Sequence, residues 1–212
     1  MIDVRLGDNL EVLRGVADAC FDLIYIDPPF NTGRTCNETQ LMTPREVRGD
    51  RTGFQGRRYR TERLGTRSYA DTFDDYPGFL EPRLHEARRV LAPHGSLFVH
   101  LDYREVHYVT VLLDRIFGRG CFQNEIIWAY DYGPCGTRRW PAKHDNILWY
   151  SRHPANYSYR RDEADRIPCM APGLVGAAQT ARGKTPTDTR RHTIVSPTGR
   201  DARLPLPLDR PA

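Results

Sequence analysis

Lysine is nearly missing from this 212-residue sequence: of 31 basic residues only Lys143 and Lys184 are not arginine. Paired cysteines are missing too. Cys20, Cys36, Cys121, Cys135 and Cys169 are odd in number and include no Cys-x-x-Cys pair, which argues against a disulfide framework and against a structural zinc site. No apolar stretch approaches the roughly 20 residues that a membrane span needs. The opening Met1-Ile2-Asp3-Val4-Arg5 also lacks the basic-then-apolar pattern of a signal peptide, so a cytoplasmic protein without membrane or metal is expected. There is no internal repeat. The length suits one domain with a sizeable core plus an appendage. The net charge of +4 is modest, and its arginine forks suit phosphate, although an arginine-rich codon usage explains them equally well.

The segments that are present alternate strand and helix. Ile2, Val4 and Leu6 alternate as in a strand, Gly7-Asp8 turns the chain, and Asp8 caps a short helix carrying Leu10, Val12 and Leu13. Phe21 to Ile26 then reads as a buried strand. After residue 75, Phe79, Leu80, Leu84, Ala87, Val90 and Leu91 recur at helical spacing up to Pro93-His94-Gly95. Ser96 to Leu101 is a second buried strand, closed by Asp102. A helix bearing Val106, Val109, Leu112, Leu113, Ile116 and Phe117 follows, and then strands at Glu125–Trp128 and Asn146–Tyr150. This alternation predicts an α/β fold, a Rossmann-like, doubly wound and mostly parallel sheet whose ligands sit beyond the carboxyl ends of the strands.

Two regions depart from the pattern. Residues 31–75 are polar, with eight arginines between Pro44 and Arg67, and read as a long basic insertion loop. It is expected either to close over substrate or track phosphates through Arg57, Arg58 and Arg60, or to be a solvated insertion. Residues 161–212 hold seven prolines and few apolar clusters and read as an irregular tail or part of a recognition region, leaving 1–160 as the main domain.

The chemistry concentrates in Asp27-Pro28-Pro29-Phe30, directly after the Phe21–Ile26 strand. Proline alone is a common way to end a strand. An acid before two prolines and an aromatic after them is a more specific pattern. The exocyclic amine of adenine or cytosine is a poor nucleophile because its lone pair is delocalised into the ring. Two acceptors on its hydrogens favour the tetrahedral nitrogen that attacks a methyl donor. Asp27 supplies one, and the Pro28 carbonyl, on a backbone stiffened by two rings, supplies the other. Phe30 stacks on the base, so catalysis is a matter of positioning and fixed charge. An amine inside a duplex is out of reach of such a site, so the base must be flipped out.

These residues, with Arg5-Leu6-Gly7-Asp8-Asn9-Leu10-Glu11 before them, resemble the opening of the DNA amino-methyltransferases of the beta motif order. The similarity continues through Gly95–Asp102, Leu113–Gly118, Asn124–Trp128 and Lys143–Leu148, with an echo in Gly183–Asp188. The resemblance implies methyl transfer from S-adenosyl-L-methionine to a base in double-stranded DNA, within a restriction-modification system or as an orphan enzyme. It also implies adenine N6 rather than cytosine N4, because position 27 is Asp, and methylation of a protein glutamine or of RNA is a more distant reading. By the same likeness Asp27, Pro28, Pro29 and Phe30 are catalytic, and Asp8 accepts from the cofactor adenine if it is more than a helix cap. Asn31, Arg57, Arg58, Arg60 and Trp128 are candidates for the substrate. Trp128 and Trp149 are equally readable as core aromatics, His144 as structural, and His100 and Asp102 lie near the same edge without a catalytic role.

The sequence departs from that family in one respect. A Phe-x-Gly-x-Gly-type loop is expected after the recognition region, and Phe117-Gly118-Arg119-Gly120 fails the context because it follows a helix instead of a strand. The expectation is therefore a chain truncated before the cofactor-binding glycine motif. Such a chain either binds S-adenosylmethionine weakly unless a complementing chain or homodimer completes the sheet, or is an inactive remnant that binds DNA or a partner.

Overall fold

A computed structural model describes residues 2–42, 44, 48–52, 56–130, 136–169 and 171–191. Among them the chain divides into two units. One comprises residues up to Phe30 and from Asp75 to the end of the described chain, and the other comprises Asn31–Asp74.

The larger unit begins with residues 2–8, which form no strand. Ile2, Val4 and Leu6 are 92%, 87% and 90% exposed, which corrects the strand expected there. Alternation marks a segment able to pair, but these residues have no pairing partner among the described residues. Asp8 does cap the following helix α1 (Asn9–Arg14), its carboxylate accepting from the Leu10 N–H at 2.8 Å. Strand β1 (Phe21–Ile26) forms over the expected residues, but it is not the buried strand expected: as an edge strand with one neighbour among the described residues it leaves Phe21, Leu23 and Tyr25 40%, 61% and 50% exposed.

The smaller unit corrects the idea of a structureless insertion. Strand β2 (Arg34–Met42) pairs antiparallel with β5 (Glu62–Asp71), and the short β3 (Arg51–Thr52) pairs with β4 (Arg58–Tyr59). The base of this ribbon is cinched by Asp71, which is 3% exposed. Its carboxylate accepts from the Asn31 N–H at 2.8 Å, the Thr32 N–H at 3.1 Å and the Thr32 hydroxyl at 2.6 Å. Asn31 has φ 54°, a left-handed conformation that asparagine tolerates better than most residues.

Back in the larger unit, helix α2 (Tyr76–Val90) buries Tyr76, Leu80, Leu84, Ala87 and Val90. Asp75 caps it by accepting from the Gly78 N–H at 2.9 Å. Strand β6 (Leu91–Leu101) starts at once, earlier than the Pro93-His94-Gly95 break suggested. Helix α3 (Val106–Phe117) buries Val106, Val109, Leu112, Leu113 and Phe117. The strands β7 (Phe122–Ala129) and β8 (His144–Ser151) complete the regions predicted as strands. Beyond Arg161 the described chain is not a featureless tail. It carries a short helix α4 (Ala177–Arg182) and a three-residue strand β9 (Thr189–Arg191). Residues 192–212 lie outside the described residues.

Five strands form the main sheet in the order β1-β6-β8-β7-β9. β1 is parallel to β6 and β7 to β9, while β8 is antiparallel to both β6 and β7. Every strand except β8 therefore points the same way, and the mostly parallel α/β sheet stands. Successive side chains alternate across a sheet. On β6, Leu97, Val99 and Leu101 are fully buried, whereas Phe98 and His100 on the opposite face are half-buried. Gly95 has no room for a Cβ, which would lie 2.8 Å from the Leu91 side chain and 2.9 Å from the Phe21 carbonyl oxygen of β1.

Candidate active site

β1 and β6 stay in register as far as Ile26 opposite Val99. Proline carries no N–H, so the ladder cannot continue through Pro28 and Pro29. The tetrapeptide Asp27 to Phe30 is thereby released at the carboxyl end of the strand. Its backbone is held from α2: the Tyr76 hydroxyl, on a side chain that is 2% exposed, donates to the Pro29 carbonyl at 2.6 Å. The Pro28 carbonyl receives no donor among the described residues and stays available as an acceptor.

His100, placed near the same edge by the sequence but given no catalytic role there, contacts both acids and both rings of this cluster. Val99 is the register partner of Ile26, so the next residue of β6 lies beside the start of the motif. The His100 Nδ1 is 3.2 Å from an Asp27 carboxylate oxygen, and Nε2 is 3.6 Å from the carboxylate of Asp145 on β8. The imidazole stacks on Trp128 with centroids 6.2 Å apart and planes 16° apart, and Phe30 meets it edge-on at 5.2 Å. Asp145 raises the affinity of His100 for a proton, burial opposes this, and Asp27 adds to it, so its pKa lies above the ordinary histidine value. Asp145 also accepts from the Tyr130 hydroxyl at 3.3 Å, and burial followed by that carboxylate keeps the phenol protonated to higher pH than usual.

Asp102, at the end of β6, is buried, and burial pushes its pKa up against the opposing pull of Arg104. Its carboxylate accepts from the Arg104 N–H at 2.9 Å and pairs with the Arg104 guanidinium. That arrangement shapes the turn into α3, and Asp102 reaches the cluster around His100 only through its charge, which acts on Asp145 and Tyr130. Trp149 is half-buried in an aromatic cluster on the other face of the sheet from Leu97 and Val99: Phe98 stacks on it at 5.5 Å and Tyr157 meets it edge-on at 5.6 Å. Trp128, by contrast, is 40% exposed beside His100.

On the other side of the motif, a cavity of about 630 Å³ is lined by Asp8, Ile24, Asp27, Pro28, Pro29 and Arg83 among others. A space of this size with mainly apolar walls and a few polar groups is able to hold a nucleoside-sized ligand. Asp8 is a helix cap and also an ion-pair partner, since the Arg83 guanidinium donates to it at 2.8 and 3.1 Å. Arg83 further donates to the Asn9 side chain at 2.9 Å and lies 4.0 Å over the Phe79 ring, tying α2 to α1. No sequence pattern singles out this arginine, because its partners come from a segment about 75 residues away.

The remaining candidates belong to the smaller unit. Asn31 accepts from the Phe73 N–H at 2.9 Å through its side-chain oxygen, a structural bond within the ribbon base. Arg57 and Arg58 are exposed, and Arg60 pairs with Glu62 at 3.3 Å. Among the described residues no group of three or more His, Cys, Asp or Glu side chains is placed to hold a metal ion. No helix among them is long and apolar enough to cross a membrane.

The mostly parallel α/β sheet presents an acid, two prolines and an aromatic beyond the end of β1, and comparison with known proteins identifies the family. The family model for the N6/N4 methyltransferases, described as DNA methylase, matches residues 21–190. The chain belongs to this family of DNA methylases. It is 24% identical to the type II methyltransferase M.HpaI of Haemophilus parainfluenzae over 99% of this chain and 57% of that protein. It is 28% identical to the Mod subunit of the type III restriction-modification enzyme EcoP15I of Escherichia coli over 69% of this chain and 23% of that protein. The chain thus spans about half of the first relative and a quarter of the second. Among solved structures it is similar in fold to the PvuII DNA methyltransferase (cytosine-N4-specific), with a TM-score of 0.50, 11% identity, and coverage of 92% of this chain and 58% of that one.

Proposed function

We propose that this chain carries the catalytic motif of an enzyme that transfers a methyl group from S-adenosyl-L-methionine to the exocyclic amine of a flipped base in double-stranded DNA, with N6 of adenine as the target. The observation that carries the reading is the pair of acceptors at the end of β1. Asp27 has a half-exposed carboxylate, and the Pro28 carbonyl has no donor among the described residues, while its neighbour Pro29 is held by Tyr76. Two acceptors on the hydrogens of one amine restore its lone pair for attack, and the cofactor, when bound, supplies an electrophilic methyl group. The proton leaves after the nitrogen becomes cationic, so no strong base is needed. Phe30 and Trp128 offer ring faces and edges on which a flipped base can rest.

The cavity beside the motif fits the adenosyl part of that cofactor. Val12, Leu13, Ile24, Ile26 and Leu80 supply apolar walls, and Asp8 supplies an acceptor. Gly7 is the one glycine that lines it among the described residues, so a glycine-rich turn from a complementing chain belongs to the proposal. Arg57 and Arg58, exposed on the ribbon, are assigned to DNA phosphates, which they neutralise without reading sequence.

The test is incorporation of labelled methyl groups into duplex DNA of mixed sequence, with and without a polypeptide bearing a cofactor glycine loop, followed by digestion to nucleosides. N6-methyladenine is expected, and Asp27→Ala should lower its formation by at least about 100-fold, the order found when a fixed charge-stabilising group is removed. N4-methylcytosine instead would move the target to cytosine. No incorporation in either arm, with DNA binding retained, would leave a DNA-binding remnant as the function.

A further inference from the structure

We propose that His100 is a positioning residue for the Asp27 carboxylate, bridging it to Asp145 as an imidazolium so that one Asp27 oxygen is pinned and the other is left for the amine. This rests on the reading of Asp27 as an acceptor. Each ring nitrogen faces a carboxylate, which favours a donor at both. Nδ1 lies 3.2 Å from the Asp27 carboxylate, an ion-pair separation. Nε2 is fully buried and has no hydrogen-bond partner, yet it lies 3.6 Å from the Asp145 carboxylate, an ion-pair separation. A bare nitrogen lone pair aimed at a carboxylate would be repelled, whereas an N–H there is attracted, and two N–H groups make the ring a cation.

The surroundings agree with a bridge. Trp128 lies nearly parallel to the ring at 6.2 Å, a placement that favours a cation over an aromatic face. Phe30 abuts its edge, and Tyr25 is tilted against it at 6.5 Å, its phenol kept protonated by burial and by Asp27. Tyr130 donates to one oxygen of Asp145 and leaves the other toward His100. Asp102, the remaining nearby acid, is paired with Arg104. One imidazolium between two carboxylates leaves the trio anionic, so Asp27 is oriented without being neutralised. Asp27 itself is 58% exposed on its side chain, and without the bridge its carboxylate would rotate freely in solvent.

The bridge is tested first by NMR titration of the imidazole of His100 in the chain alone, without DNA or methyl donor. Its midpoint should lie above the unperturbed value of about 6.5. It should fall in Asp145→Asn and in Asp27→Asn, the second a change at an exposed site that leaves the fold intact. A midpoint at or below that value, or one that neither substitution moves, overturns the proposal. In methyl transfer, His100→Ala should lower kcat by about 100-fold, the scale of a small misplacement of a reacting group, with KM for DNA changed little. His100→Asn, whose amide N–H replaces that of Nδ1, should recover about tenfold of that loss. An unchanged kcat in His100→Ala, or an Asn variant no better than the Ala one, sinks the inference. The titration stands apart from any methyl transfer, so a failure of the proposed activity does not mimic a failure of the bridge. Loss of transfer in Asp27→Ala but not in His100→Ala would reject the bridge alone.

Discussion

β1 and β6 run side by side and in parallel, with similar apolar sequences, yet they differ sharply in burial. Leu97, Val99 and Leu101 of β6 are fully buried, whereas Phe21, Leu23 and Tyr25 of β1 are 40%, 61% and 50% exposed. β6 has a neighbour on each side, and β1 has one on a single side among the described residues. Parallel strands are ordinarily covered on both faces and paired on both edges. The Asp27–Phe30 motif therefore leaves from an edge strand with largely exposed side chains, and what holds it besides packing is the register with β6, the Tyr76 hydroxyl on Pro29 and the contact of Asp27 with His100.

The largest effect that tests this contrast is on stability. Leu97→Ala removes a fully buried side chain and should cost about 3–5 kcal/mol, the range for such truncations in a packed core. Leu23→Ala, on a side chain already 61% exposed, should cost less than about 1 kcal/mol. Urea unfolding midpoints of the two variants measure the difference. Equal losses would mean that β1 is covered in solution by another strand or another copy, and the contrast would disappear.

Much of this architecture is legible in the sequence where the signal is local. The helical spacing of Leu80, Leu84, Ala87 and Val90 and of Val109, Leu112 and Leu113 marks side chains that are indeed buried, and Asp8 caps α1 as its position suggests. The failures are all non-local. Ile2, Val4 and Leu6 alternate as in a strand, but alternation is silent about whether an edge exists to receive it. The β2–β5 ribbon pairs Arg34 with Asp71, polar segments joined by backbone hydrogen bonds, so no apolar period announces it. β9 is three polar residues recruited by β7. At the site, the tetrapeptide is readable because its chemistry is contiguous. His100 is not, because a single histidine in an apolar strand acquires meaning only when Asp27 arrives from β1 and Asp145 from β8.

Two tyrosines sharpen the comparison at a smaller scale. Tyr150 on β8 is fully buried, and its hydroxyl donates to Asp114 at 2.8 Å, tying the sheet to α3. Tyr76 makes the equivalent bond to Pro29, at the end of β1. Replacing Tyr76 by Phe removes its bond to Pro29, and replacing Tyr150 removes its donation shared between Asp114 and the Thr110 carbonyl, so each should destabilise by about 1 kcal/mol at little cost in packing. Their local effects should differ. Tyr76→Phe should speed amide hydrogen exchange around Phe30 while leaving β8 protected, and Tyr150→Phe should do the reverse. Identical exchange patterns in the two variants would show that the motif shares the rigidity of the core.

The smallest effect is in pH dependence, and its sign follows from His100. A histidine whose folded pKa is raised contributes stability that is fully present below its unfolded pKa of about 6.5 and is lost as pH rises through the folded value. The chain should therefore lose stability gradually as pH rises above about 6.5, and His100→Asn, which cannot titrate, should flatten that part of the profile. The decline is confined to the junction of β1, β6 and β8, because the carboxylates that hold the proton are Asp27 and Asp145. If the slope survives in His100→Asn, the proton is bound elsewhere, and the end of β1 is held by Tyr76 and backbone pairing alone.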